Sequence, residues 1–305
     1  MNEQGEGQRE LKDLRDLLDP ELMARLDRLD ILSRKVFLGK LKGERRSKRR
    51  GQGVEFSDYR NYVVGDDLKF IDWNIYGRLD RLFLKLFLEE EDLCLHLIVD
   101  ASGSMSEGSP AKVLLAKRLA AALGYIGLVN NNRVSLTVFG EGIVGQRTNL
   151  RGRHQLSNLG HTLLTSPAGG ATAFARTAKR LALTRQGKGV TVLISDFLMK
   201  EDYREGLRYL IGRDYDLFVI QVLSPQELDP PLTGDLKLID VEDGDEAEVT
   251  ISAPLLKRYK ATVESFCGEL RDFCTRRGAT YVRTASDMSV QTLVLDYLRK
   301  KRLVK

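Results

Sequence analysis

Two hydrophobic rhythms alternate along the second two-thirds of the chain. Continuous apolar runs occur at "LCLHLIVD" (93–100), "RVSLTVFG" (133–140), "VTVLISD" (190–196) and "DLFVIQVLS" (216–224). Runs of this length, rich in Val, Ile and Leu without polar alternation, are those of strands buried on both faces. Between them the apolar positions recur at helical spacing, at 110–130, 153–164, 173–185 and 202–212. Strands alternating with helices predict a mostly parallel sheet with helices on both faces. Further on, "DLKLIDVEDGDEAEVTIS" (235–252) centres two strand-like runs on Asp243-Gly244, a hairpin signal. A helix at 254–277, a short strand "TYVRTA" and a helix at 288–301 complete the pattern.

The first third reads differently. Leu11, Leu14 and Leu18, then Leu22, Leu26, Leu29 and Leu32, predict two helices within residues 8–41. The break falls near residue 19, where Asp19 is placed to cap a helix that starts on Pro20. Residues 54–91 carry aromatic and β-branched side chains around the turn Gly65-Asp66-Asp67, and Leu82, Leu84, Leu86 and Leu88 alternate. A small β-rich region follows from that pattern. The chain is thus divided into residues 1–91, with helices, a loop and a β-rich region, and residues 92–305, with the sheet, the hairpin and the last helices.

In open parallel sheets ligands bind beyond the carboxyl ends of the strands. Two apolar runs end there on an acid, Asp100 and Asp196. Burying charge is costly, so two acids so placed point to a shared purpose. Ser102 and Ser104 add hydroxyls just after Asp100, and Gly169-Gly170 precede Thr172. Each residue alone is ordinary punctuation, a helix cap or a turn former. Together Asp100, Ser102, Ser104, Thr172 and Asp196 make a set of hard oxygen donors with little total charge, which suits Mg²⁺, with Mn²⁺ or Ca²⁺ as alternatives.

Composition changes little in this picture. The 305 residues are 42% hydrophobic and 30% charged, as for a globular chain with a solvated surface. No apolar run approaches a bilayer span, and "MNEQGEGQRELKDLRDLL" resembles no secretory or transit leader, so a cytoplasmic location is expected. The net charge of +5 is contained entirely in "KGERRSKRR" (42–50), where six basic residues face one acid. This is read as a solvated or partner-facing loop rather than a nucleic-acid face. Cys94, Cys267 and Cys274 lack C-x-x-C spacing and are read as core residues.

The element "DASGS" (100–104), with Thr172 and Asp196, resembles the metal-ion-dependent adhesion site of von Willebrand factor A domains. The family's frequent Thr-Asp-Gly reads Ser195-Asp196-Phe197 here. Upstream, "GQGVEFSDYRNYVVGDDLKFIDWNIYGRLDRLFLKLFLEEE" (51–91) closely resembles the signature of the domain-of-unknown-function 58 family. The resemblance implies a von Willebrand factor A-like (Rossmann-like) fold and a non-enzymatic protein that binds other proteins through a divalent ion. It also implies partners: a MoxR-type AAA+ ATPase and a client with an acidic ligand residue, in chaperone-like maturation. Two other classes compete. A phosphatase-like hydrolase using Asp100 as nucleophile needs a second carboxylate two residues on, where Ser102 stands. A nucleic-acid-binding protein would rely on residues 42–50 alone. Neither a P-loop nor a G-x-S-x-G elbow is present, and His96, His154 and His161 form no triad pattern.

Overall fold

The computed structural model describes residues 11–33, 55–66, 68–88, 93–184, 187–212, 215–231, 234–239 and 246–305. The basic segment 42–50, Asp67 and the Asp243-Gly244 turn lie outside them. Two compact units are present, one of residues 1–38 with 93–305 and one of residues 39–92.

In the smaller unit, strand β1 (Glu55–Asn61) pairs antiparallel with β2 (Phe83–Leu88). The expected small β-rich region is present as this pair, and between its strands it also holds a helix, Trp73–Leu79, that the sequence pattern did not show. Its start is set by Asp72, whose carboxylate accepts from the Asn74 and Ile75 amides at 2.9 and 3.2 Å. Asp66 pairs with Arg60 at 3.0 Å, so the signature acids that the structure describes serve local architecture.

The larger unit is built on a six-stranded sheet. Its strands are β3 (Leu93–Asp100), β4 (Arg133–Phe139), β5 (Ile143–Leu150), β6 (Lys188–Ser195), β7 (Tyr215–Leu223) and β10 (Thr280–Ala285). They lie in the order β10-β7-β6-β3-β4-β5, all parallel except β5. The expected mostly parallel sheet with helices on both faces is therefore present. Strand β5 has no counterpart in the sequence reading. It is an edge strand reading "IVGQRTNL", mostly half-exposed or exposed, and so shows no apolar run. A separate hairpin pairs β8 (Gly234–Ile239) with β9 (Glu246–Ile251) in the anticipated register region.

Side chains alternate across each strand, and the two faces build two cores. Leu95, Leu97, Val99, Val134, Leu136, Val192 and Ile220 share one cluster with the helix Lys112–Val129. Ile98, Leu193, Leu217 and Val219 share the other with the helices Phe174–Thr184, Tyr203–Leu210 and Ala253–Arg276. The Lys112–Val129 helix is buried on almost every side. Its outer face is covered by Leu17, Leu18, Leu22 and Leu26 from the short helices Leu14–Leu17 and Pro20–Leu26. Asp19 caps the second of these, as its position before Pro20 foretells.

Two expectations need correction here. The second N-terminal helix stops at Leu26, and Leu29 and Ile31 are buried in an extended segment that pairs with the chain's last residues through the Ile31–Val304 bridge. Residues 11–33 thereby join the hydrophobic core of the larger unit instead of forming one N-terminal region with residues 54–91. All three cysteines are buried and unbridged, as their spacing suggests. Burial pushes the Cys274 thiol up to about 12.

Candidate metal centre at the strand ends

Growth of the sheet reverses between β3 and β6. After β3 the chain adds β4 and β5 on one side, then returns to add β6, β7 and β10 on the other. A crevice at the carboxyl ends of these two strands is where such folds hold ligands. Asp100 ends β3 and Asp196 follows β6 directly; both are buried, 0% and 1% exposed.

Asp100 is fixed by two bonds: one carboxylate oxygen accepts from the Ser102 amide at 2.9 Å, the other from the Ser195 hydroxyl at 2.6 Å. Its carboxyl is nevertheless pushed up to about 7, first by burial and then by the charge of Asp196, against the pull of these bonds.

Ser102 occupies the cap position of the short helix Gly103–Ser106, yet its side chain makes no capping bond. Its hydroxyl is buried and lies 3.1 Å from that of Ser104. The ordinary explanation of a serine at a helix start therefore does not apply to it. Thr172 is brought in through the backbone of its loop. The Gly169 amide donates to the Ala101 carbonyl and the Gly103 amide to the Gly170 carbonyl, both at 2.8 Å. Gly169 and Gly170 hold φ of +140° and +75°, conformations that permit this close approach. The Thr172 side chain is half-buried. All five residues singled out in the sequence thus lie at or just beyond the carboxyl ends of β3 and β6 or on the loop that reaches them.

The structure adds residues that sequence reasoning missed. Lys112, at the first turn of the buried helix, is fully buried; its ammonium donates to Asp196 Oδ2 at 2.7 Å and to Glu227 Oε1. Burial, the largest influence, would lower the lysine pKa, but Asp196 and Glu227 outweigh it and hold it above its ordinary value. Asp196 Oδ1 accepts from the Leu198 amide at 2.9 Å, and the Asp196 carbonyl accepts from the Gln221 amide group at 2.9 Å. Glu227 closes a capping box, its Oε2 accepting from the Ser224 amide at 2.7 Å. The S-x-x-E pattern was visible in "SPQE" (224–227), but a capping box does not announce a lysine 115 residues away.

Phe197 takes the left-handed conformation, φ 62°, where the resembled family has glycine. Its ring is buried between Phe174 and Tyr203, with centroids 6.2 and 6.0 Å away. Aromatic packing here offsets the backbone cost that a glycine would avoid.

Among the described residues no group of three or more His, Cys, Asp or Glu is arranged to hold a metal. The donors at the strand ends are two carboxylates with hydroxyls, hard oxygens of the kind Mg²⁺ accepts. Lys112 pairs with Asp196 and Glu227 and not with Asp100, so with all three carboxylates ionised the cluster is two positive charges short of balance. The donor set and the charge deficit both fit a divalent cation. His96 lies apart, with its Nε2 3.1 Å from the Tyr215 hydroxyl inside the sheet.

The family described as "Protein of unknown function DUF58" matches residues 58–265. An uncharacterised protein of Mycobacterium bovis is 29% identical over 245 residues, covering 79% of this chain and 77% of the relative. One from Mycobacterium avium is 25% identical over 154 residues, covering 50% of this chain and 90% of the relative. Similar solved structures include the conserved hypothetical protein BatB from Bacteroides thetaiotaomicron, 17% identical over 68% of this chain and 98% of that one, with a TM-score of 0.42. A von Willebrand factor type A protein from Catenulispora acidiphila is 14% identical over 72% of this chain and 43% of that one, with a TM-score of 0.43. These structural likenesses concern the arrangement of strands and helices and nothing beyond it.

Proposed function

Since the chain belongs to the DUF58 family of proteins of unknown function, we propose that it is a non-enzymatic, protein-binding adaptor whose contact surface is the cluster of Asp100, Ser102, Ser104, Thr172 and Asp196, loaded with Mg²⁺ or a similar divalent ion. The observation that carries this reading is the Ser102–Ser104 hydroxyl pair, with Ser102 buried and free of capping duty, beside the buried carboxylate of Asp100. When bound, the ion supplies a Lewis-acidic position that an acidic side chain of a partner can occupy.

The chain's own residues prepare that contact. Ser195 and the Ser102 amide hold Asp100, while Lys112 and the Leu198 amide hold Asp196, so both carboxylates are fixed in place by the chain itself. Preorganisation of this kind favours a binding surface that is switched by metal and consumes nothing. The partners in this reading are a MoxR-type AAA+ ATPase and a client bearing an acidic residue, met in the cytoplasm. The chain has no P-loop, so in this scheme the ATPase supplies the energy. Among the described residues no helix is long and apolar enough to cross a membrane.

A hydrolase built on Asp100 is less well supported. The position two residues on is Ser102, where such a nucleophile needs a second carboxylate. A pull-down with a purified MoxR-type ATPase tests the proposal. Association in millimolar Mg²⁺ should fall by about ten-fold or more in EDTA and in Asp100→Ala, as for loss of a charge-assisted contact. Association that survives both would contradict it.

A further inference from the structure

We propose that Lys112 and Glu227 set the charge preference of the strand-end site, Lys112 by holding one unit of positive charge against Asp196 and Glu227 by returning one unit of negative charge. This rests on the divalent-ion reading of the site. A lysine that is 0% exposed, with its ammonium shared between two carboxylates, is not a surface residue folded inward by chance. Each partner is itself fixed. Asp196 is held through its other oxygen by the Leu198 amide, and Glu227 through its other oxygen by the Ser224 amide. The ammonium therefore cannot leave Asp196 without leaving a buried carboxylate unpaired.

The consequence is a fixed charge count. With all three carboxylates ionised and both Lys112 and Glu227 present, the cluster lacks two positive charges, which a divalent ion restores. Without the lysine it lacks three, and without the glutamate it lacks one. With neither, the deficit is again two. Methionine keeps the length and much of the volume of the lysine stem. Glutamine keeps the capping-box bond to the Ser224 amide. The substitutions thus change charge with little change in shape.

The test uses the full chain with Mn²⁺ and Tb³⁺ as separate probes, both of which accept oxygen donors. Mn²⁺ binding is followed by electron paramagnetic resonance and Tb³⁺ binding by sensitised luminescence. The readout is the ratio of Tb³⁺ to Mn²⁺ affinity, which is insensitive to the fraction of protein that is folded. A unit charge a few ångströms away in a partly buried site should move that ratio by about ten-fold or more. K112M should raise it and E227Q should lower it by a similar factor. The double variant K112M/E227Q should return it to within about three-fold of wild type. Should K112M fail to fold, E227Q and the double variant carry the same comparison. Ratios that stay equal in all variants, while Mn²⁺ binding still requires Asp100, would overturn this proposal alone. Absence of any Asp100-dependent Mn²⁺ binding by the wild type would overturn the metal site and this proposal together.

Discussion

Gly189→Ala is expected to cost about 4 kcal/mol or more, enough to threaten folding of the chain. Gly189 lies near the start of β6 opposite Cys94 of β3, between the two middle strands of the sheet. A Cβ at this position would lie 2.0 Å from the Cys94 carbonyl oxygen and 2.7 Å from its amide nitrogen. Both are backbone atoms inside a parallel ladder, so no side chain can swing aside to make room. Relief requires β3 and β6 to separate, and these are the strands that carry Asp100 and Asp196. Denaturant unfolding with a spectroscopic probe measures the cost. A loss below about 1 kcal/mol would mean that the two strands do not approach as described.

The second large effect concerns Phe197. Phe197→Ala should destabilise by about 3–5 kcal/mol, because it empties a buried space between Phe174 and Tyr203. Phe197→Gly removes one more carbon yet should be the milder change by about 1 kcal/mol, since only glycine takes φ 62° without strain. The order is the reverse of that for an ordinary buried position. Paired unfolding curves for the two variants decide it. Alanine proving the more stable would show that the left-handed conformation is not held in solution.

Much of this architecture was legible because its signals are local. Strands β3, β4, β6 and β7 announce themselves as apolar runs that only a doubly covered sheet requires. Asp19-Pro20 marks a helix start through the geometry of its own few atoms. The D-x-S-x-S element was visible because three of its donors fall within five residues, Asp100 to Ser104. The misses have the opposite character. Strand β5 is polar because only one neighbour and one edge define it, so no pattern sets it apart from a loop. The helix Trp73–Leu79 is hidden by aromatic and β-branched residues whose preference for strands is overridden by the Asp72 cap. Lys112 reads as one more charged residue at a helix start. Its role depends on Asp196, 84 residues away, and Glu227, 115 residues away, which only the folded chain brings to it. The extended stretch after Leu26 is shaped by the chain's last residues, at the far end of the sequence.

The measurement that bears most directly on the strand-end site is thermal unfolding with and without divalent metal. An ion that binds only the folded chain, at about 100 times its dissociation constant, adds about 2.7 kcal/mol. For a chain of this size that corresponds to a rise in Tm on the order of 5 °C. Millimolar Mg²⁺ or Mn²⁺ should produce such a rise in the wild type, EDTA should reverse it, and Asp100→Ala should fold but show none of it. An equal rise in wild type and Asp100→Ala, or no rise in either, would contradict a metal centre at the ends of β3 and β6.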